Sequence, residues 1–363
     1  MKMAKCVVWD LDDTLWHGTL SAGDDLVLRD GVVNVIKTLD ARGILQSVAS
    51  KNNHDDALRK LEEVGLAEYF LYPQINWNSK SSSVAAIREK LNIGIDTIMF
   101  VDDQPFERDE VAFVHPDVET IDSADLGGML SMPRLSPTVV TEDAARRRQM
   151  YLEDQARNEA ELAHQGASDE FLGGLDMIFT ISRAKGGDLL RLAELTERTN
   201  QLNSTGIQYS HQQLEELMHS PDHDLWVCEL TDRYGSYGKI GVALVEKQDD
   251  RWTVNLLLMS CRTVSKGVGT VLLSFLLNRA AENGKRFFAR FRRTDRNRQM
   301  LVTYQLANFR VVWREGNDYL YENDLAVRPE YPLGSTGGCN TDVDHLRWPV
   351  RRWSYGQEVV RGG

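Results

Sequence analysis

The chain has 363 residues, 42% of them hydrophobic, and a formal net charge of −12, which is enough material for two ordinary domains with real cores. No stretch approaches the roughly 18 uncharged apolar residues that a membrane span needs, the short run Cys6–Trp9 does not make a signal peptide, and the negative charge argues against general nucleic-acid binding. The four cysteines (Cys6, Cys228, Cys261 and Cys339) show no CxxC or zinc-type spacing, so no disulfide framework is expected and a reducing cytoplasm fits best. Charge is also unevenly spread. Residues 1–130 hold 12 Lys/Arg against 23 Asp/Glu, whereas residues 283–315 hold nine Lys/Arg against Asp295 and Glu315. That basic stretch reads either as a docking surface for an anionic partner or as a solvated face.

In chain order, residues 5–10 read as a strand, 32–39 as a helix, 44–50 as a strand, 54–64 and 81–91 as helices, and 97–101 as a strand ending in Asp102-Asp103. Such alternation predicts βαβ units and a parallel sheet. The pattern breaks at residues 132–141 with Pro133 and Pro137, and residues 142–164 are nearly all polar, as in an exposed bridging helix. Beyond Asp176 come strands at 177–182, 225–230, 239–246, 253–259, 287–291, 309–314 and 319–321, with helices at 188–197, 268–281 and 298–307. This predicts an α+β layer. The tail from Pro329 is rich in Gly and Pro and is expected to be loose.

Two carboxylates two residues apart after a strand, Asp10 and Asp12, form half of a phosphoryl-transfer site. One can ligate a magnesium ion and attack phosphorus, and the other can move the proton of the leaving oxygen. Asp102 and Asp103, after another strand, would complete the metal shell, Asp12 contributing its backbone carbonyl. Ser50 offers a hydroxyl to a phosphoryl oxygen, and Lys80 a positive charge against the developing anion. Singly, such residues are as readily turn formers, helix caps or solvated charges. In this order, each at an element's end, they point to catalysis.

Asp10-x-Asp12-x-Thr14, Ser50, Lys80 and Asp102-Asp103 resemble the four motifs of the haloacid-dehalogenase (HAD) superfamily of aspartyl phosphotransferases. The longer strings Trp9 to Gly18, Ser50-Lys51-Asn52 and Val101 to Arg108 resemble the FkbH-like family, with Asp13 standing where that family commonly has Asn. The likeness covers most of residues 5–321. Thr199-Asn200-Gln201-Leu202-Asn203-Ser204-Thr205, Asp232-Arg233-Tyr234-Gly235 and Met259-Ser260-Cys261-Arg262 are similar to segments of the same family, and this second half resembles the N-acetyltransferase (GNAT) fold. The implied fold class is α/β: a HAD-like Rossmannoid parallel sheet in residues 1–130, a linker and exposed helix in 131–170, a GNAT-like α+β domain in 171–325, and a loose tail in 326–363.

The resemblance implies Asp10, Asp12 and Cys261 as catalytic residues, and magnesium on Asp10, Asp12, Asp102 and Asp103. It also implies substrate contacts from Thr14, Ser50, Lys51, Asn52, Lys80, Asn200, Gln201, Asn203, Arg262 and Asn297. Gly267 and Gly269 open a helix whose N–H groups could hold a phosphate, although a tight turn explains them equally. Val264 stands where the GNAT fold usually has Arg or Gln, which fits a carried phosphopantetheine arm better than coenzyme A. Cys261 is either a thiolate activated by Arg262 and a nearby helix start or a small buried hydrophobe; the resemblance implies an acyl carrier. The expected activity is therefore transfer of the 3-phosphoglyceryl group of 1,3-bisphosphoglycerate, its dephosphorylation, and loading of glyceryl onto the phosphopantetheine of an acyl carrier protein for polyketide assembly. The rivals are a plain phosphatase with a non-catalytic second domain, and an acyl-coenzyme A transferase.

Overall fold

The computed structural model describes residues 2–164, 171, 174–326 and 345–350, the last segment and residues 264–266 as backbone. The chain divides into two compact units, Met1–Gln155 and Ala156–Gly363. The fold class is α/β, as expected. Among the described residues, no helix is long and apolar enough to cross a membrane.

In the first unit β1 (Cys6–Trp9) leads through a small hairpin, β2 (Trp16–His17) and β3 (Val27–Leu28), to α1 (Val32–Ala41) and β4 (Leu45–Ser50). There follow α2 (His54–Glu63), β5 (Gln74–Ile75), α3 (Lys80–Leu91), β6 (Ile98–Asp102), α4 (Pro105–Val114) and β7 (Glu119–Asp122). The strands pair in parallel in the order β5-β4-β1-β6-β7. Central β1 is buried on both faces, as parallel strands are: Val7 and Trp9 pack with Val32, Val35, Ile36 and Leu39 of α1, while Cys6 and Val8 pack with Val84, Ile87 and Leu91 of α3. Register sets Trp9 beside Val48 and Val101, so β1, β4 and β6 end together, and loops emerging from that edge share one mouth. Helix α4, whose charged sequence hid it from a periodicity reading, starts on Pro105, a residue pre-shaped for a first helical position.

Residues 131–155 belong to this unit rather than to a free linker. The Arg134 guanidinium donates to the carbonyls of Lys2 and Asp96 and to Glu119. Arg147 donates to the Gly43 carbonyl at 2.7 Å. Gly43 sits at φ 69°, and a Cβ there would lie 2.6 Å from the Ala144 carbonyl oxygen, so glycine is required. Within the stretch that looks like a solvated face, Arg147 and Arg148 satisfy the Gly43 and Glu68 carbonyls instead. Short α5 (Glu142–Ala145) and long α6 (Arg147–Ala163) follow.

The second unit continues with β8 (Met177–Arg183), α7 (Leu189–Arg198), α8 (His211–His219), β9 (His223–Asp232), β10 (Gly235–Lys247) and β11 (Arg251–Met259). Then come α9 (Val268–Glu282), β12 (Arg286–Arg292), α10 (Arg298–Leu306), β13 (Arg310–Glu315), β14 (Asp318–Asn323) and β15 (His345–Val350). Sheet order is β13-β14-β12-β11-β10-β9-β8-β15. Every pair is antiparallel except β11–β12. The tail, expected to be loose, supplies β15 as a partner for β8; its residues 327–344 and 351–363, Cys339 included, lie outside the described residues.

β11 and β12 pair only from Arg251–Arg286 to Val254–Ala289. A bulge leaves Asn255 without a β10 partner, and bulges bend a strand. In the gap that follows lies the Leu202–Ser204 segment. Ser204 N donates to Leu257 O and Met259 N to Leu202 O, each at 2.9 Å, while Arg292 N donates to Ser204 O at 2.9 Å. The segment thus bonds both diverging strands.

In α6 the residue expected to be solvent-facing, Arg157, is only 2% exposed and makes a two-pronged ion pair with buried Asp232 at 2.6 and 2.9 Å. It also stacks 4.0 Å from the Tyr237 ring centroid. Asp232 accepts in addition from Tyr237 Oη and the Tyr234 and Gly235 amides, which explains the Asp232-Arg233-Tyr234-Gly235 string. Removing one partner strands a buried charge. Arg157→Ala is therefore expected to lower the stability of the second unit by about 3–5 kcal/mol in urea unfolding. Arg148→Ala, which breaks partly exposed pairs with Asp40 and Glu68, should cost the first unit under about 1 kcal/mol.

Candidate active site

Asp10 follows β1 directly, with its amide donating to Val101 O at 2.9 Å. On either side stand Ser50, the last residue of β4, and Asp102, the last of β6. Lys80 is the first residue of α3, whose N-cap Ser79 accepts from the Ser82 amide. Its ammonium is 2% exposed and reaches Asp10 Oδ1 at 2.5 Å, Asp102 Oδ2 at 3.0 Å, Glu107 Oε2 at 2.9 Å and Ala49 O at 2.9 Å. A cation out of water needs this many acceptors.

Glu107 was not picked out from sequence. Pro105 starts α4 just after Asp103, which puts Glu107 in the first helical turn facing Lys80, and its other oxygen pairs with Lys51 Nζ at 2.8 Å. The signal available was the acidic residue in the string Asp102 to Arg108, but only the helix start shows where it points.

Asp10, Asp102 and Asp103 each bring a carboxylate oxygen within 4.8 Å of the others. Hard oxygen donors so gathered suit magnesium. Asp12 stands apart. Its Oδ1 accepts from Trp16 Nε1 at 2.9 Å and the Leu20 amide at 3.1 Å, and its Oδ2 from Asn52 Nδ2 at 3.0 Å. Its carboxylate is held by these three donors and is not part of the group of three acids. The turn just after Asp12 places Asp13 at φ 50°, a left-handed conformation that Asp and Asn tolerate. Thr14, expected to touch phosphate, spends its hydroxyl inside the protein: it accepts from the Asp103 amide at 2.9 Å and donates to Asp103 Oδ1 at 3.3 Å. It ties the first motif to the last.

Burial pushes the Asp10 carboxyl up, and Lys80 and Ser50 draw it back only in part. Burial, with the Asp10 charge added, pushes Asp102 up to about 7 against the pull of Lys80. Burial also raises Asp103. Burial works against the Lys80 cation, but the carboxylates of Asp10, Asp102 and Glu107 outweigh it and raise its pKa. For Glu107, burial is outweighed by Lys80 and Lys51, which hold it below the usual carboxylate range.

In the second unit Cys261 is half-buried, directly beyond β11. Ser260 N donates to Ile240 O at 2.6 Å and Thr263 N to Ser260 O at 3.1 Å, which pins the turn around the thiol. Arg262 donates to the Tyr237 carbonyl at 2.9 Å. The Cys6 and Cys228 thiols are raised by burial, as befits inert cysteines. Gly267 caps α9 at φ 65° and Gly269 lies in its first turn; the Val264 side chain lies outside the described residues.

Two expected substrate contacts are occupied by the fold. Asn203 Oδ1 accepts from the Thr205 and Gly206 amides and its Nδ2 donates to Thr199 O. Asn297 Nδ2 donates to Asn203 O and Arg292 O, while its Oδ1 accepts from Thr294 N. Both are buried and hold the wedge between β11 and β12. Asn200 and Gln201 are half-buried.

The chain matches no protein-family model and no curated protein. Among solved structures it is similar to the N-terminal part of the protein BF1531 from Bacteroides fragilis, containing a phosphatase domain complexed with Mg. That match has 29% identity over 39% of this chain, TM-score 0.33, and spans 42% of the other chain's length. It is also similar to the ribosomal-protein-S18-alanine N-acetyltransferase from Escherichia coli, at 12% identity over 49% of this chain and 97% of that one, TM-score 0.31. Arabidopsis thaliana NAA60 in complex with a bisubstrate analogue matches at 13% identity over 40% and 97%, TM-score 0.32.

Metal binding at the acidic group requires Asp102 to lose a proton that it holds up to a pH of about 7. Magnesium affinity is therefore expected to fall about tenfold per pH unit as pH drops below that value, read by calorimetric titration between pH 6 and pH 8. The linkage to stability has the opposite slope. The folded protein keeps this proton where the unfolded chain has lost it, so Asp102 favours the metal-free fold at acid pH, and this contribution fades as pH rises from the ordinary carboxylate range through about 7. Equal magnesium affinity at both pH values would contradict this.

Proposed function

We propose that the chain is a two-part enzyme, a magnesium-dependent phosphatase followed by an acyl transferase. Its reaction takes the 3-phosphoglyceryl group of 1,3-bisphosphoglycerate, removes the remaining phosphate and loads glyceryl onto the phosphopantetheine of an acyl carrier protein for polyketide precursor supply. The observation that carries the phosphatase reading is the division of the acids: Asp10 with Asp102 and Asp103 around Lys80, and Asp12 aimed separately by Trp16, Leu20 and Asn52.

Magnesium on Asp10, Asp102 and Asp103 would neutralise the repulsion between Asp10 and a phosphate. An oxygen of Asp10 attacks phosphorus; the new O–P bond forms as the ester O–P bond breaks, and the leaving oxygen takes a proton from Asp12. Water then attacks phosphorus, passes its proton to Asp12, and the bond to Asp10 breaks to release phosphate. Lys80 holds Asp10 in line, and Glu107 with Lys51 keeps Lys80 in place. For the transfer half, the Cys261 thiolate adds to the acyl carbon, the bond to phosphate breaks, and the carrier thiolate later displaces Cys261. The basic stretch containing Arg292, Arg293 and Arg296 would attract an acidic carrier, Arg292 being paired with Asp318.

The transfer half rests on the position of Cys261 just past the end of β11 and on the resemblance around it. A plain phosphatase, with the second unit a binding module, is the competing reading, favoured by the internal commitment of Asn203 and Asn297.

Intact-mass analysis of a carrier incubated with 1,3-bisphosphoglycerate separates these. Wild type should yield glyceryl-carrier. Asp10→Asn should accumulate the phosphoglyceryl adduct, with release of the 3-phosphate, the group on the ester oxygen, down by about 10³-fold or more. Cys261→Ala should leave the carrier unloaded while hydrolysis of a phosphoglyceryl thioester continues. Normal glyceryl loading by Asp10→Asn would remove Asp10 as nucleophile. Normal loading by Cys261→Ala would mean direct transfer, and no loading by wild type would leave the phosphatase reading.

A further inference from the structure

We propose that the second unit carries a separate binding site for an amphipathic anion, a molecule with an aliphatic body ending in an acidic group, in a cleft on the sheet formed by β12, β14 and β13. The cleft has a volume of about 590 Å³ and is lined by Thr205, Ile207, Arg290, Trp313 and Leu320 among others. That volume is in the range of small-molecule sites.

Register builds its floor. Arg290 on β12 pairs with Leu320 on β14, which pairs with Trp313 on β13, so the three side chains stand in one row on one face. The opposite face is covered: Phe287 contacts Phe309 with ring centroids 6.1 Å apart, and Phe291 contacts Tyr304 of α10 at 6.2 Å. The leucines of α7 and α8 pack instead on Leu225, Val227, Val242, Leu244, Leu256 and Leu258 of β9 to β11, so among the described residues no helix covers this row. Trp313 is 49% exposed and Ile207 41%, an apolar surface that water wets at a cost.

Charge selects the ligand. Arg292, the next cation along β12 on this face, is committed to Asp318 at 2.7 and 3.2 Å. Arg290 makes no hydrogen bond or close ion pair among the described residues; its charge acts on the Glu246 carboxylate and on Tyr209 only at longer range, and the side chain it adjoins in the row is Leu320. A bidentate donor at the edge of an apolar floor fits an acid group joined to a hydrocarbon chain. A neutral hydrophobe would leave the guanidinium unused, and a free inorganic anion would leave the floor wet. This inference stands apart from the phosphoryl and acyl chemistry proposed above, and its test reads binding alone.

The experiment is calorimetric titration of the full chain with octanesulfonate, which no phosphatase can cleave, alongside octanol and sulfate. Saturable binding of octanesulfonate is expected, with octanol and sulfate each weaker by at least about tenfold. Arg290→Ala and Trp313→Ala should each weaken octanesulfonate by at least about tenfold, whereas Arg290→Lys, which keeps the charge and loses the fork, should fall between wild type and Arg290→Ala. Both sites of change are exposed, and far-UV circular dichroism checks that each variant is folded. Octanol binding as tightly as octanesulfonate would reduce the cleft to an apolar groove, and sulfate doing so would reduce it to a charge patch. Unchanged affinity in Arg290→Ala, or no saturable heat with wild type, would overturn the assignment.

Discussion

An ammonium group removed from water is tolerated only where its surroundings replace the lost hydration. Lys80 meets that condition with Asp10, Asp102, Glu107 and the Ala49 carbonyl, and much of the first unit's sequence is placed to satisfy it. Each of these acceptors sits at or just beyond the end of β1, β4 or β6, or in the first turn of α4. The constraint works in both directions. Three acids packed together repel one another, and Lys80 is the cation that lets them share the site. Their remaining excess of negative charge is what a divalent cation would match.

The same crowding separates roles between chemically identical side chains. Asp10 and Asp12 are two residues apart, yet one lies among carboxylates beside Lys80 and the other is turned toward an indole N–H, a backbone amide and an asparagine amide. The bond from Lys80 to Asp10 and the three donors on Asp12 hold this split. It is on these unlike surroundings that the proposed division into attack and proton transfer rests.

In the second unit the governing feature is an omission in the sheet. Past Val254 and Ala289, β11 and β12 stop pairing, and unpaired strand groups inside a protein must find other partners. Leu202–Ser204 supplies them, and Asn203 and Asn297 lock that segment with side-chain bonds to backbone. The side chains of these two asparagines, expected to contact substrate, bond to the backbone at this gap. Cys261 lies just past the end of the strand so held.

Much was legible from residues alone. The alternation of apolar runs and helical periods marked the parallel sheet, because strands buried on both faces must be apolar. The acids, Ser50 and Lys80 at element ends marked the site, because loops at one sheet edge converge. What the sequence could not determine was direction. Whether a hydroxyl, amide or guanidinium turns toward a ligand or toward the chain's own carbonyls depends on which distant backbone lies within about 3 Å. Thr14, Asn203, Asn297 and Arg157 turned inward, Glu107 turned toward Lys80, and residues 345–350 found an edge strand to pair with. These outcomes join residues far apart in the chain, and only the tertiary structure sets those distances.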